Sequence, residues 1–388
     1  MSTFDDGYSI RAYGLMIVDE ARFRPWTDAL KRRVGPDSVV LDIGCGAGIL
    51  SFLACQFGAR RVFAVEPDSS IEVARQCAAN IPGSERIEWI RGLSTEITLP
   101  EQADLVVGDL HGTMPFHAEN IASLVDARKR HLKPGGHLLP KRDLLFAAPA
   151  FAPSEIADVD APWRRNTLGL DLSAALPYVV NTWWRAQTNP VEPHCLLAAP
   201  QHWGTVDYTA DEVRALEGKP QWTIERAGRL DGFYAWFDGV VDDDLGFSNS
   251  PVLPELVYGR AFFPLSRSVQ VDAGDSMAAR LSVNRVQDHW VYRWHTKIMA
   301  PTGEVKADFR QSTFQMMPGQ MEALRKSEAN YVPVLTEEGR LQSAILALMD
   351  GRHSLAEIAR QVMERFPSRF HNFDRALAAV AKQSRGNG

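Results

Sequence analysis

The alternation of apolar and polar positions changes rhythm along this chain. From residue 37 to about residue 146, short apolar runs alternate with amphipathic stretches, the pattern of βαβ units in a sheet covered on both faces. Residues 39–43, 62–65, 87–90 and 105–107 predict strands, since they are mostly apolar and too short for surface helices. Residues 50–56 and 70–79 predict helices between them. Lys133-Pro134-Gly135-Gly136 punctuates the chain ahead of a further strand, because proline and paired glycines cannot continue a helix. This part reads as a doubly wound α/β sheet.

From about residue 151 to 315, tryptophan, proline and glycine recur at short intervals around runs such as Phe233-Tyr234-Ala235-Trp236-Phe237 and Trp290-Val291-Tyr292-Arg293-Trp294. That texture predicts an antiparallel β domain. Residues 164–197, with Trp183 and Trp184, are less regular and read as a protruding arm. Residues 316–330 are polar and read as a linker. The remainder is helical: Ser354 and Glu357 have capping-box spacing, and Leu355, Ile358, Ala359, Val362 and Met363 share one face before Phe366-Pro367. Helices are also expected at 341–349, ending at Asp350-Gly351, and at 373–382. With a strand-like 331–335, they suggest a small winged-helix-like module.

Composition narrows the classes of function. The 388 residues carry 42 Lys and Arg against 48 Asp and Glu, a formal charge of -6, so no general attraction to DNA or to an anionic membrane is expected. Cys45, Cys55, Cys77 and Cys195 have neither metal-knuckle spacing nor the density of a disulfide scaffold. No metal site is expected, and a reducing cytoplasm fits. The start MSTFDDGYSI lacks a basic region followed by an apolar core, and no run approaches the ~18 apolar residues of a membrane span. Neither export nor a membrane location is expected.

The candidate chemistry begins at the end of the first strand. Asp42-Ile43-Gly44-Cys45-Gly46-Ala47-Gly48 opens a helix, and its missing side chains let a ligand approach the backbone. Glu66 ends the second strand, where a carboxylate can accept hydrogen bonds from both hydroxyls of a ribose. Dinucleotide sites use a longer glycine spacing that sets pyrophosphate on the helix N-terminus. The spacing here suits a nucleoside without phosphate, such as S-adenosylmethionine.

Residues 39–51, VVLDIGCGAGILS, closely resemble the cofactor loop of the protein arginine methyltransferases. Other segments resemble that family in the same order. Tyr8 and Met16-Ile17-Val18-Asp19-Glu20-Ala21-Arg22 resemble its N-terminal helix, Leu132 to Gly136 with Pro140 its hinge into a β-barrel, and Asn166 to Ser173 the start of its dimerisation arm. Gly246-Phe247-Ser248-Asn249-Ser250-Pro251 resembles one of its barrel turns. The likeness covers about residues 8 to 300. It implies Tyr8, Met16 and Arg22 at the cofactor, with Arg22 on its carboxylate. It also implies Asp42, Gly44 and Gly46 at the methionine end, Glu66 and Pro67 at the ribose, and Thr95 and Glu96 near adenine. A homodimer is implied as well. The expected fold is therefore a Rossmann-like S-adenosylmethionine domain at 1–150, an antiparallel β-barrel-like domain with an arm at 151–318, and a winged-helix-like domain at 331–388.

The acceptor loop departs from that family. Two glutamates normally grip the substrate guanidinium. Here Asp109 replaces the first, Ala118 takes the second position, and Glu119 lies one residue further, a turn of about 100° on a helix. The family's Thr-His-Trp triplet has Leu256-Val257-Tyr258 as its nearest equivalent. His111 and His117 are additions that can orient or deprotonate an acceptor. His289 and His295 read as barrel packing, and Asp242-Asp243-Asp244 as a solvated turn. A guanidinium is protonated at neutral pH and needs carboxylates to localise its charge and take a proton, whereas imidazole already offers a lone pair. The acceptor stays open between an arginine-like nitrogen and histidine.

Residues 347–359, ALMDGRHSLAEIA, resemble PqqD-type peptide-recognition domains. That resemblance implies a partner: a precursor peptide, ribosomally made and held by its leader. The expected function is methylation of a peptide or protein side-chain nitrogen. Two alternatives remain: a non-catalytic peptide-binding relic, and a small-molecule methyltransferase with a DNA-binding tail. Mixed charges make nucleic acid an improbable partner of that tail.

Overall fold

The computed structural model describes residues 9–165, 168–186, 191–211, 213, 215–286, 289–316, 326 and 330–387. The chain divides into two compact units, Met1–Pro318 and Gly319–Gly388. The first unit opens with helices α1 (Ile10–Val18) and α2 (Glu20–Arg33) and continues into a parallel sheet. Its strands are β1 (Val39–Ile43), β2 (Arg61–Glu66), β3 (Ile87–Arg91), β4 (Ala103–Val107) and β5 (Leu132–Leu139), in the spatial order β3-β2-β1-β4-β5. Every position of β1 is buried, including Asp42 near its end, as a strand in a sheet covered on both faces requires. Chain order reverses between β1 and β4, so the crevice for a ligand opens at their carboxyl ends. Asp42, Glu66 and Asp109 all lie at that edge.

Lys133-Pro134-Gly135-Gly136 does not precede the fifth strand as expected but lies inside it. The pairing of β5 with β4 is interrupted, jumping from Ala103↔Leu132 to Leu105↔His137. Gly135, at φ +79°, takes the irregular position, and such a bulge tolerates a proline that a regular ladder would not.

The β half contains two antiparallel sheets, not one continuous barrel sheet, among the described residues. One is built on Arg142–Ala150, Gly228–Asp242 and Ala261–Val271, the other on Ser276–Val286, His289–Met299 and Val305–Ser312. The sheets share a core in which the Phe263 and Trp294 rings meet edge to face at 5.3 Å. The crossing into this half comes earlier than residue 150, since Arg142–Ala150 already pairs with Gly228–Asp242. The arm is shorter than the expected 164–197: Trp184 and Arg185 pair with Phe262 and Ala261 in the sheet. Leu168, Leu170, Leu172 and Tyr178 are exposed, whereas Asn166 and Thr167 lie outside the described residues.

The acidic turn is only partly solvated. Asp242 is buried and accepts from Arg33 Nε at 2.8 Å and Nη2 at 2.9 Å, with Lys141 Nζ at 2.9 Å. Burial alone would raise its pKa, but these cations hold it well below the carboxylate range. It fixes the end of α2 to the β half. Asp242→Ala is expected to lower the unfolding midpoint by several degrees in calorimetry, because Arg33 loses its buried counter-charge. His295 bonds Asp308 at 2.7 Å on the surface rather than packing inside, and His289 is likewise exposed.

The second unit has three helices, Glu337–Leu348, Leu355–Arg365 and Phe373–Asn387. They enclose Leu341, Ile345, Ile358, Val362, Phe370 and Val380. The capping box is formed: Ser354 Oγ accepts from Glu357 N at 3.3 Å, and Glu357 Oε2 accepts from Ser354 N at 2.8 Å. The strand expected at 331–335 is absent. Pro333 lacks a donor, no partner strand is found among the described residues, and Val332 and Val334 are exposed. The three expected helices are thus present, and no strand accompanies them among the described residues of this unit.

Candidate active site

The loop after β1 is shaped by backbone that only glycine adopts readily. Gly46 has φ +51°, and a Cβ there would sit 2.4 Å from the Tyr13 ring, which α1 lays over the loop. The Gly46 N–H donates to Glu66 Oε2 at 2.9 Å, and Asp68 N donates to Oε1 at 2.9 Å. Glu66 is therefore fixed at the end of β2; burial raises its pKa against those two hydrogen bonds. Asp42 Oδ2 accepts from Ser51 Oγ at 2.6 Å, whereas Asp42 Oδ1 is buried with no partner. Burial pushes the Asp42 carboxyl up to about 7. An orphaned buried carboxylate oxygen calls for a donor from a ligand.

These groups line a cavity of about 1010 Å³, at the upper limit for a single small molecule and roomy enough for two reactants. Met16, Arg22, Asp42, Gly44, Glu66 and Pro67 line it as expected. Thr95 and Glu96 do not: both are exposed, and Leu93 and Ser94 face the cavity instead. The turn after β3 presents its earlier residues to the crevice, a register that side-chain type cannot reveal. Tyr8 lies outside the described residues.

Asp109, just beyond β4, is the centre of a buried polar cluster. Its carboxylate accepts from Arg22 Nη2, from the Tyr258 hydroxyl at 2.6 and 2.7 Å, and from His111 Nδ1 at 2.8 Å. Arg22 also donates through Nε to the Tyr258 oxygen at 2.8 Å and through Nη1 to the Met16 carbonyl at 3.0 Å. His111 Nε2 reaches Asp143 Oδ1 at 3.2 Å, its ring stacks on Phe237 at 5.1 Å, and Tyr208 bonds the other Asp143 oxygen. Burial would raise the Asp109 pKa, but the Arg22 charge and His111 hold it well below the usual range. Burial would lower that of His111, but the Asp143 charge and hydrogen bonds to both carboxylates raise it to about 10.

His111 is thus protonated at neutral pH, with both ring nitrogens engaged. It positions Asp109 and, held between two carboxylates, offers no lone pair to an acceptor, a different place from the expected one beside the acceptor. Because its folded pKa exceeds the ordinary 6.5, its stabilisation is complete below about pH 6.5 and is lost as pH rises through about 10. Thermal melts from pH 7 to 10.5 are expected to fall by several degrees more for the wild type than for His111→Asn.

His117 is exposed at the cavity rim. Glu119 is exposed and turned to Arg285, whose Nη1 lies 2.6 Å away and whose Nη2 also donates to it. That pairing lowers the Glu119 pKa. The neighbouring Ala118 carbonyl accepts from Trp290 Nε1 at 3.0 Å, so the acceptor loop is anchored to the β half. Tyr13, Asp143 and Tyr208 escaped the sequence reading as site residues, and Tyr258 entered it only as the nearest equivalent of the Thr-His-Trp triplet. Of the first three, only Tyr13 left a local signal, being one helical turn before Met16.

Residues 27–140 match the family model of ribosomal protein L11 methyltransferase (PrmA). The chain is 31% identical over 258 residues to probable histone-arginine methyltransferase 1.4 of Arabidopsis thaliana, spanning 63% of this chain and 48% of that relative. It is 29% identical over 268 residues to protein arginine N-methyltransferase 6 of Xenopus tropicalis, spanning 66% and 78%. The match thus spans about half the length of the first, plant relative. Among solved structures, Arabidopsis thaliana protein arginine methyltransferase 10 superposes with a TM-score of 0.68 at 22% identity, over 78% of this chain and 97% of that one. The fold is that of the arginine methyltransferases. The Trypanosoma brucei PRMT1 enzyme-prozyme complex with AdoHcy, also of this arginine methyltransferase fold, gives a TM-score of 0.69 at 18% identity, over 77% and 97%.

Proposed function

We propose that the chain is an S-adenosylmethionine-dependent methyltransferase acting on a side-chain nitrogen of a peptide or protein, arginine-like or histidine. The observation that carries this reading is the unpartnered Asp42 Oδ1 beside the Gly44–Gly46 turn and the fixed Glu66 carboxylate, within a cavity that accommodates two reactants. The relatives and the methyltransferase family model support it.

In this reading Asp42 receives the ammonium end of the ligand, an added cation that returns its carboxyl to the charged form. Arg22 keeps guanidinium donors to spare after Asp109, Tyr258 and the Met16 carbonyl and turns them to the ligand carboxylate. Glu66 accepts from the ribose hydroxyls, with Pro67 at the edge. Tyr13 and α1 cover the glycine loop and exclude water. When bound, S-adenosylmethionine supplies an activated methyl group on a sulfonium, so the chain's task is to align the acceptor nitrogen and keep it dry. Asp109, held by Arg22, Tyr258 and His111, forms the fixed wall against which the acceptor is oriented, and His117 stands at the entrance.

The helical second unit is read as the holder of a precursor peptide by its leader, which would raise the local concentration of the modified segment. The capped Asp350-to-Glu357 turn supports it. The exposed leucines of 168–172 support the arm as a homodimer contact. Four free cysteines are consistent with a cytoplasmic setting, and no helix among the described residues is long and apolar enough to cross a membrane. Calorimetric titration with S-adenosylhomocysteine tests the cofactor site. Mass spectrometry of candidate peptides after incubation with S-adenosylmethionine tests the activity. No heat of binding, together with no increment of about 14 Da (one CH₂) on any peptide, would remove the reading.

A further inference from the structure

We infer that the acceptor end of this cavity selects an uncharged nitrogen with an available lone pair, of the imidazole kind, over a guanidinium cation. The inference rests on the methyltransferase reading and narrows its substrate class.

A guanidinium leaves water for a cavity only where carboxylates are available to neutralise it and to take its N–H bonds. The two candidates on the acceptor loop are both occupied. Asp109 takes three hydrogens, one from His111 on Oδ1, one from Arg22 on Oδ2 and the single Tyr258 O–H shared between both oxygens, and its one negative charge is already matched by the two cations. Its buried cluster is balanced, with Arg22 and protonated His111 against Asp109 and Asp143. Glu119 borders the cavity but its carboxylate is paired with Arg285, and the Ala118 carbonyl beside it is bound by Trp290. That end is also lined by Thr113, Met114, Phe116 and Trp183, by His117 and Asn120, which bring no negative charge, and by the cation Arg185, itself paired to Glu255 at 2.8 Å. Asp42 and Glu66 belong to the nucleoside end.

A neutral imidazole needs none of the missing charges. Its unprotonated ring nitrogen forms the new N–C bond as the C–S bond of the sulfonium breaks and the electron pair stays on sulfur. The resulting N-methylimidazolium loses its N–H proton to water, so no protein base is required. An imidazole acceptor also makes the rate rise with pH through about 6.5 and then level.

The test uses the full chain loaded with S-adenosylhomocysteine at pH 8, titrated by calorimetry and ligand-observed NMR with 4-methylimidazole and with methylguanidinium. At least tenfold tighter binding of 4-methylimidazole is expected; tighter or equal binding of methylguanidinium, or binding of neither, overturns the inference. Arg285→Gln releases Glu119 and is expected to raise methylguanidinium affinity at least tenfold. No change in that variant overturns the role given to Glu119. Paired glycine-rich peptides with a single histidine or a single arginine, incubated with S-adenosylmethionine, are expected to show faster methylation of the histidine peptide with the stated pH profile. Faster methylation of the arginine peptide overturns the inference. Failure of S-adenosylhomocysteine itself to bind is a separate result, which removes the methyltransferase reading and this one with it.

Discussion

Asp109→Asn is expected to destabilise the first unit by about 3 kcal/mol, the low end of what losing one partner of a buried ion pair costs, and to slow methyl transfer at least a hundredfold. Asp109 is the shared counter-charge of Arg22 and His111, and its side chain is only 5% exposed. An amide keeps the shape but removes the charge, and its NH₂ group faces donors. Two buried cations then compete for Asp143 and Tyr258. Arg22 loses the contact that aims it, so the catalytic loss and the stability loss have one origin. Denaturant unfolding and single-turnover methylation measure the two effects. A third readout separates them from a merely structural defect: in the variant, the extra fall in stability near pH 10 is expected to shrink, because His111 no longer holds its proton as tightly. An unchanged unfolding midpoint would show that the cluster is not held together as described.

The second large effect is expected at the glycine loop. Gly46→Ala adds a Cβ 2.4 Å from the Tyr13 ring at a φ of +51°, so either α1 is pushed off the loop or the loop moves. Either movement displaces the N–H that fixes Glu66. Glu66→Gln attacks the same unit from the other side: its carboxylate accepts from Gly46 and Asp68 with different oxygens, and an amide must set an N–H against one of them. S-adenosylhomocysteine affinity is expected to drop at least a hundredfold in each, about 2.7 kcal/mol. The accompanying stability loss is expected to be about 1–2 kcal/mol, from the strained φ in one variant and the unpaired buried N–H in the other. Calorimetry gives the affinity and thermal melting of the unliganded protein the control. A Kd within threefold of wild type for both variants would disprove the loop's role.

Much of the cofactor half was legible in the sequence because its determinants are local. Asp42, Gly44, Gly46 and Glu66 lie at strand ends whose positions follow from short, mostly apolar runs, and a turn that needs positive φ announces itself as glycine. The capping box at Ser354 and Glu357 was equally readable, since both partners lie within one turn. The acceptor half was not. Asp109 and His111 are two residues apart, but what they do depends on Arg22, Asp143, Tyr208 and Tyr258, which come from separate elements. Thr95 and Glu96 lie outside the cavity lining, next to Ser94 within it, because a one-residue register in an irregular turn decides which side chain faces the crevice. The strand at 331–335 failed because a strand requires a partner, and alternation alone does not provide one.

By itself, then, the sequence determined the order of the sheet elements, the glycine turn and its acidic neighbour, and the helices of the second unit. Each rests on interactions between residues close in the chain or on burial periodicity. Only the tertiary structure decided the protonation of His111, the charge compensation of Asp109 and the pairing of Glu119 with Arg285. Charge state and hydrogen-bond capacity inside a fold depend on which distant groups share the low-dielectric space, and that neighbourhood is assembled by packing.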